Sequence, residues 1–203
     1  MYYLDDPKRK FTLFINYRVA SRSLEAWFHS LGHDEPLPHR LNDSYAKLQE
    51  DTRKIIVVRD PIDRFVSMLN HPSAFGYDPV KYVNKNKVEE FLTFLESGES
   101  KADAHFDLQS RCADSENIDM RGLFTDIVRI EDGSPTEQLN KLLGVEGDTA
   151  RVNVTAEKVL LPINKHGFDY TLSGTVSKDD LTSEQINRIK GVFKQDFLNF
   201  YPL

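Results

Sequence analysis

Ile55-Ile56-Val57-Val58-Arg59-Asp60-Pro61-Ile62-Asp63-Arg64-Phe65-Val66-Ser67 is the stretch that decides the fold. Its first four residues are uninterrupted β-branched apolar side chains, the pattern of a strand buried on both faces of a parallel sheet. Asp60-Pro61 then marks a helix start: proline needs no backbone N–H at the first helical position, and Asp63 sits well against the positive end of the helix. A strand running straight into a helix predicts an α/β unit with ligand-binding groups at the strand's carboxyl end.

Upstream, Phe11 to Asn16 is a second nearly continuous apolar run, expected to be another buried strand. After it, Ser21 or Ser23 is expected to cap a helix whose Leu24, Trp27, Phe28 and Leu31 recur at helical spacing until Gly32 stops it. Downstream, Val88 to Glu96 reads as a helix ended near Gly98, and Leu123 to Ile130 as a third strand. Ser134-Pro135-Thr136-Glu137 has the order of a capping box opening a helix that ends at Gly144. A last helix is expected from Thr182 to about Asn199, docked by Ile186, Ile189, Phe193, Phe197 and Phe200. Residues 33–52, 72–87, 99–119 and 145–180 read as mostly loop, where substrate contacts are expected. Strands alternating with helices predict a three-layer α/β domain with a central, mostly parallel sheet flanked by helices.

The length of 203 residues suits one domain, 1–203, with a substantial core. A formal net charge of −6 argues against a general nucleic-acid or anionic-membrane binder, so an anionic ligand needs a local basic pocket. Met1 to Lys10 has no apolar core of a signal peptide, and no run of about 18 apolar residues occurs. The chain therefore reads as soluble, and its single cysteine, Cys112, points to a reducing compartment, the cytoplasm.

The junction after the first strand, Asn16-Tyr17-Arg18-Val19-Ala20-Ser21-Arg22-Ser23, places two guanidiniums, two hydroxyls and backbone N–H groups at a helix N-terminus, a ready site for phosphate or sulfate. Taken alone it is equally an ordinary helix start with Arg18 and Arg22 as solvated charges. It is no Walker A loop, having neither glycine nor a Gly-Lys-Ser/Thr ending. At the second junction Asp60 and Pro61 are explained as helix-start residues, whereas a guanidinium at a buried strand end, Arg59, is not. Arg64 and Ser67, three apart, are expected to share a polar face opposite Phe65, Met68 and Leu69 and to meet an anionic group.

Arg59 followed eight residues later by Ser67, after Ile56-Val57-Val58, resembles the 3'-phosphate-binding motif of sulfotransferases. Tyr17 to Ser23 resembles their 5'-phosphosulfate loop in the form usual for carbohydrate sulfotransferases of the chondroitin and dermatan type. His105-Phe106-Asp107-Leu108-Gln109-Ser110-Arg111-Cys112 is similar to that branch's His-x-x-x-Gln-x-x-Cys segment, and Leu181 to Phe200 to its closing helix with Asp196-Phe197. The resemblance implies a P-loop-like fold and transfer of a sulfuryl group from 3'-phosphoadenosine 5'-phosphosulfate to an acceptor hydroxyl on a carbohydrate, with no metal. It also implies donor contacts from Arg18, Val19, Ala20, Ser21, Arg22 and Ser23 at the 5' end, and from Arg59, Arg64 and Ser67 at the 3'-phosphate. This sequence departs from the family at Arg18, where a lysine is usual, and at Tyr17, where a proline is usual.

In-line sulfuryl transfer requires cationic groups where charge develops and a base for the acceptor hydroxyl. His105 is the first choice of base because it lies in the family-like segment, and His39 the second; a lone histidine is more often structural. Gln109, Arg111 and Lys165 are candidates to orient an acidic sugar, and Cys112 reads as a buried small residue. Two other readings remain at this level: a P-loop-like kinase, and a nucleotide-binding protein without catalysis, which the lysine-to-arginine change at Arg18 permits.

Overall fold

The computed structural model describes residues 2–33, 39–40, 51–69, 87–98, 108–110, 123–149 and 176–201. The chain divides into two compact units: Met1–Asp60, Asp107–Asn153 and Gln195–Leu203 form one, and Pro61–Phe106 and Val154–Lys194 the other.

The first unit is built on a five-stranded sheet of order β3-β1-β2-β4-β5, from β1 (Tyr2–Asp6), β2 (Phe11–Ile15), β3 (His39–Arg40), β4 (Arg53–Val58) and β5 (Asp126–Arg129). Strands β2, β4 and β5 are parallel, with Leu13 opposite Ile55 and Val57 opposite Val128. The predicted runs form β2 and β4 because both faces are covered. Leu13, Ile15, Ile55 and Val57 pack on one face with Leu24, Trp27 and Phe28 of α1 (Ser21–Ser30) and Leu139 of α4 (Pro135–Leu143). Phe14, Ile56 and Val58 pack on the other with Phe124 and with Phe200 of α6 (Lys194–Phe200). This unit is thus three layers deep, as the strand-helix alternation predicts.

Strand β1 was not anticipated. It pairs antiparallel with β2, Tyr2 opposite Ile15 and Asp6 opposite Phe11, through a turn in which Lys10 takes φ 54°. Its Asp5-Asp6 ending disguises it. Asp5 accepts from Thr12 Oγ1 across the pair at 2.8 Å, while Asp6 is fully buried on Arg9 and His33. Asp6 could be read as a strand residue only once these partners were in place.

Two caps differ from expectation. Ser21 and Ser23 lie inside α1, whose cap residue is Ala20 without a side-chain bond. Ser134 caps α4 by position only, its hydroxyl lying 3.0 Å from that of Thr136, while Gly144 ends the helix at φ 65° as predicted.

The second unit contains α2 (Pro61–Leu69), α3 (Lys87–Ser97), a 3-10 turn (Lys178–Asp180) and α5 (Ser183–Val192). Thr182 and Gln185 form a reciprocal capping box at the start of α5. The single helix expected from Thr182 is two, interrupted at Phe193 (φ −100°, ψ 23°), just after Gly191, a residue of poor helix propensity. Its apolar stripe is divided accordingly: Ile189 and Phe193 are buried among the helices of the second unit, Phe200 under the sheet of the first.

Candidate functional site

Five residues, Asn16 to Ala20, separate β2 from α1, and two of them are left-handed: Arg18 at φ 71° and Ala20 at φ 61°, ψ 32°. This conformation costs an L-residue roughly 1–2 kcal/mol. Backbone strain of this kind concentrates at binding sites, and a turn containing left-handed residues directs successive N–H groups into a concavity suited to an anion. Val19, between the two, is fully buried in the core and pins the loop, while Ala20 is exposed. The first helical bond runs from Leu24 N to Ala20 O at 3.1 Å, so the N–H groups of Ser21 and Arg22 precede the intrahelical ladder at the positive end of α1.

Arg59 follows the last residue of β4, and its Nη1 donates to the carbonyl oxygen of Arg18 in a long hydrogen bond of 3.5 Å. The structure thereby brings together the two junctions of this unit that the sequence singles out, 41 residues apart. The backbone of Arg59 is held as well: its N–H donates to Gln109 Oε1 at 2.8 Å, and Gln109 Nε2 donates to its carbonyl at 2.7 Å. Gln109 is fully buried, and its own carbonyl accepts from Asn16 Nδ2 at 3.2 Å. The N–H groups of Gln109 and Ser110 both donate to the carboxylate of buried Asp196 on α6, at 2.9 and 2.7 Å.

Beyond β5, Glu131 accepts from the N–H of Asp60 at 2.6 Å and from the Tyr201 hydroxyl at 3.1 Å. Burial, reinforced by the negative charge of Glu131, pushes the Tyr201 hydroxyl's pKa up, so the phenol stays a hydrogen-bond donor. Arg129 donates to Phe200 O and lies 5.4 Å from the centroid of the Tyr201 ring.

Ser67 is half-buried on α2. Arg64 is fully buried, its guanidinium 6.0 Å from the centroid of the Phe193 ring. Arg64 and Met68 are four apart on the helix and share its buried side. Gln109 does not present its amide to an acceptor, since both amide atoms are engaged by Arg59. His39 falls in β3, where its backbone alone is described, and His105, Arg111, Cys112 and Lys165 lie outside the described residues.

The sequence names Asp196 only as part of the family-like closing helix, without a role, and does not single out Glu131. For Asp196 a signal existed: it lies three residues after Phe193 and four before Phe200, a carboxylate on an apolar stripe, which must find donors inside. Glu131 carried none, being one acid among neighbours until the end of β5 placed it beside Asp60. Among the described residues no group of His, Cys, Asp and Glu is arranged to hold a metal ion, and no helix is long and apolar enough to cross a membrane.

A model of the sulfotransferase family matches residues 1–202. No curated protein and no solved structure matches the chain. The family match runs through both strand-to-helix junctions and the P-loop-like α/β fold that carries them, and on it the chain belongs to the sulfotransferase family of transferases.

Proposed function

We propose that this sulfotransferase uses 3'-phosphoadenosine 5'-phosphosulfate as donor and a carbohydrate hydroxyl as acceptor. The observation that carries this reading is the loop after β2: left-handed at Arg18 and Ala20, continuous with the positive end of α1, and joined to the Arg59 guanidinium. Such a combination of turned N–H groups and fixed cations suits a doubly anionic nucleotide. When bound, the donor supplies the sulfuryl group.

Arg18 and the backbone and hydroxyl groups of Ala20, Ser21, Arg22 and Ser23 hold the 5' end, with Val19 anchoring the loop through the core. Arg18 keeps the positive charge of the lysine usual in the family, delivered through a planar fork. Arg59, with Ser67 eight residues on, reads the 3'-phosphate. Arg64, fully buried beside Phe193, is the second cation assigned to that phosphate. His105 takes the proton from the acceptor hydroxyl, with His39 the next choice. The chain acts as a single domain in the cytoplasm: the family match is unbroken over 1–202, and one cysteine suits a reducing compartment.

The test is binding of 3'-phosphoadenosine 5'-phosphate by calorimetry, alongside transfer of labelled sulfate to a panel of sugars. Arg59→Ala and Ser67→Ala are each expected to weaken product binding by the worth of a charge-assisted contact, on the order of 1.5–3 kcal/mol. Unchanged affinity in both ends the assignment, and turnover by His105→Gln at the wild-type rate removes that histidine from the reaction.

A further inference from the structure

We infer that Gln109 is a positioning residue for the donor site: its side-chain amide sets the backbone of Arg59, and buried Asp196 holds Gln109 in register. The inference rests on the reading of Arg59 as the 3'-phosphate contact.

Strand β4 loses its regular neighbours after Val58. The described pairing with β2 ends at Val57 and that with β5 at Val58, so Arg59 stands just past the ladder. The Gln109 amide acts there as a substitute strand, accepting from Arg59 N–H at 2.8 Å and donating to Arg59 C=O at 2.7 Å. Two hydrogen bonds to the N–H and C=O of one residue fix both its position and the direction in which its side chain leaves the sheet. The Gln109 carbonyl meanwhile accepts from Asn16 Nδ2, on the residue that opens the Arg18 loop. One residue therefore ties the ends of β2 and β4, the two strands that deliver Arg18 and Arg59.

Asp196 supplies the fixed point. Its carboxylate is fully buried and takes the N–H groups of both Gln109 and Ser110. A buried carboxylate is costly unless such donors hold it, so the turn at 108–110 and the carboxylate constrain one another. The order of influence runs from Asp196 to the turn, from the turn to the Gln109 amide, and from the amide to Arg59.

A residue acting through Arg59 must alter recognition of the 3'-phosphate specifically, whereas general damage weakens every ligand alike. The full chain is titrated with 3'-phosphoadenosine 5'-phosphate and with adenosine 5'-phosphate, which lacks the 3' group, and the ratio of the two dissociation constants is compared across variants. Gln109→Met, of similar size and without hydrogen bonds, is expected to shrink the preference for the 3'-phosphorylated nucleotide about tenfold, the scale of one charge-assisted contact. It should have no further effect in an Arg59→Ala background. Asp196→Asn, which keeps the shape and one acceptor, is expected to reduce the ratio less and covers the case in which Gln109→Met does not fold. A wild-type preference that survives both variants, with the two affinities falling together, overturns the inference alone. A wild type that binds both nucleotides equally overturns the reading of Arg59 and this inference with it.

Discussion

At the amino ends of the parallel strands, Arg53 pairs bidentately with Asp126 across β4 and β5, and buried Asp6 takes Arg9 and His33. At the carboxyl ends, Arg59 reaches a backbone carbonyl in a loop that holds two residues left-handed. Both ends contain arginines close to the core, one within a strand pair and one beside a strained loop. Arg53 and Asp126 shift one another toward their charged forms, and Asp6, which burial alone would push up, is held below the usual carboxylate range by Arg9 and His33. Opposite charges matched in this way contribute to stability. A strained loop at a helix N-terminus, tied to a strand-end guanidinium, lowers stability and presents donors to an anion. Substitutions at the first end should therefore move the melting temperature, and those at the second should move ligand binding.

The sharpest break would come from Arg18→Ala, expected to lower kcat/KM for sulfuryl transfer by about 10²–10³-fold, as loss of one preorganised donor does elsewhere. The melting temperature should stay within about 2 °C of wild type. Transfer retained within threefold would place the catalytic cation elsewhere.

Asp6→Asn probes the opposite end and is expected to cost about 2 kcal/mol near neutral pH, since hydrogen bonds to a charged group are lost. The sign of the pH dependence follows from the lowered pKa of Asp6 in the folded state. Its contribution is complete above the unfolded carboxylate range and is lost as pH falls through the folded value, so the wild-type and variant stabilities should converge in acid. Denaturant titrations across pH measure this, and a constant gap would remove Asp6 from the acid limb.

Arg53→Met should cost about 1 kcal/mol, the upper range for a partly exposed pair, and leave nucleotide affinity unchanged. A change in affinity without a change in stability would reverse the assignment of roles to the two ends. The smallest effect is a gain: Ala20→Gly relieves the left-handed strain against a larger unfolded-state entropy, and a net stabilisation of about 0.5 kcal/mol is expected in thermal melts. Destabilisation by Ala20→Gly would show that the loop is not strained at that residue.

Much of this molecule is legible in the sequence alone. Ile55–Val58 and Phe11–Ile15 announce buried parallel strands because continuous apolar runs have no other comfortable place, and Pro61 and Gly144 mark helix ends through their own backbone geometry. Arg18 and Arg59 were legible as candidates because each stands where a strand gives way to a helix. Strand β1 was hidden by its two aspartates: Asp5 is exposed and accepts from Thr12, and the burial of Asp6 is tolerable only beside Arg9 and His33. The full burial of Arg64 was not legible, because helical spacing alone does not say which side a neighbouring ring, here Phe193, will cover.

By itself, then, the sequence determined the α/β class, the strand-to-helix junctions and the types of residue at them, since these follow from local periodicity and from backbone preferences within a few residues. Only the tertiary structure decided that Arg18 and Arg59 meet, that Gln109 faces inward to hold Arg59, and that Asp196 anchors it. These are hydrogen bonds between groups 41 to 87 residues apart, and their partners are chosen by which polar atoms the packed core leaves side by side, a choice that no local pattern encodes.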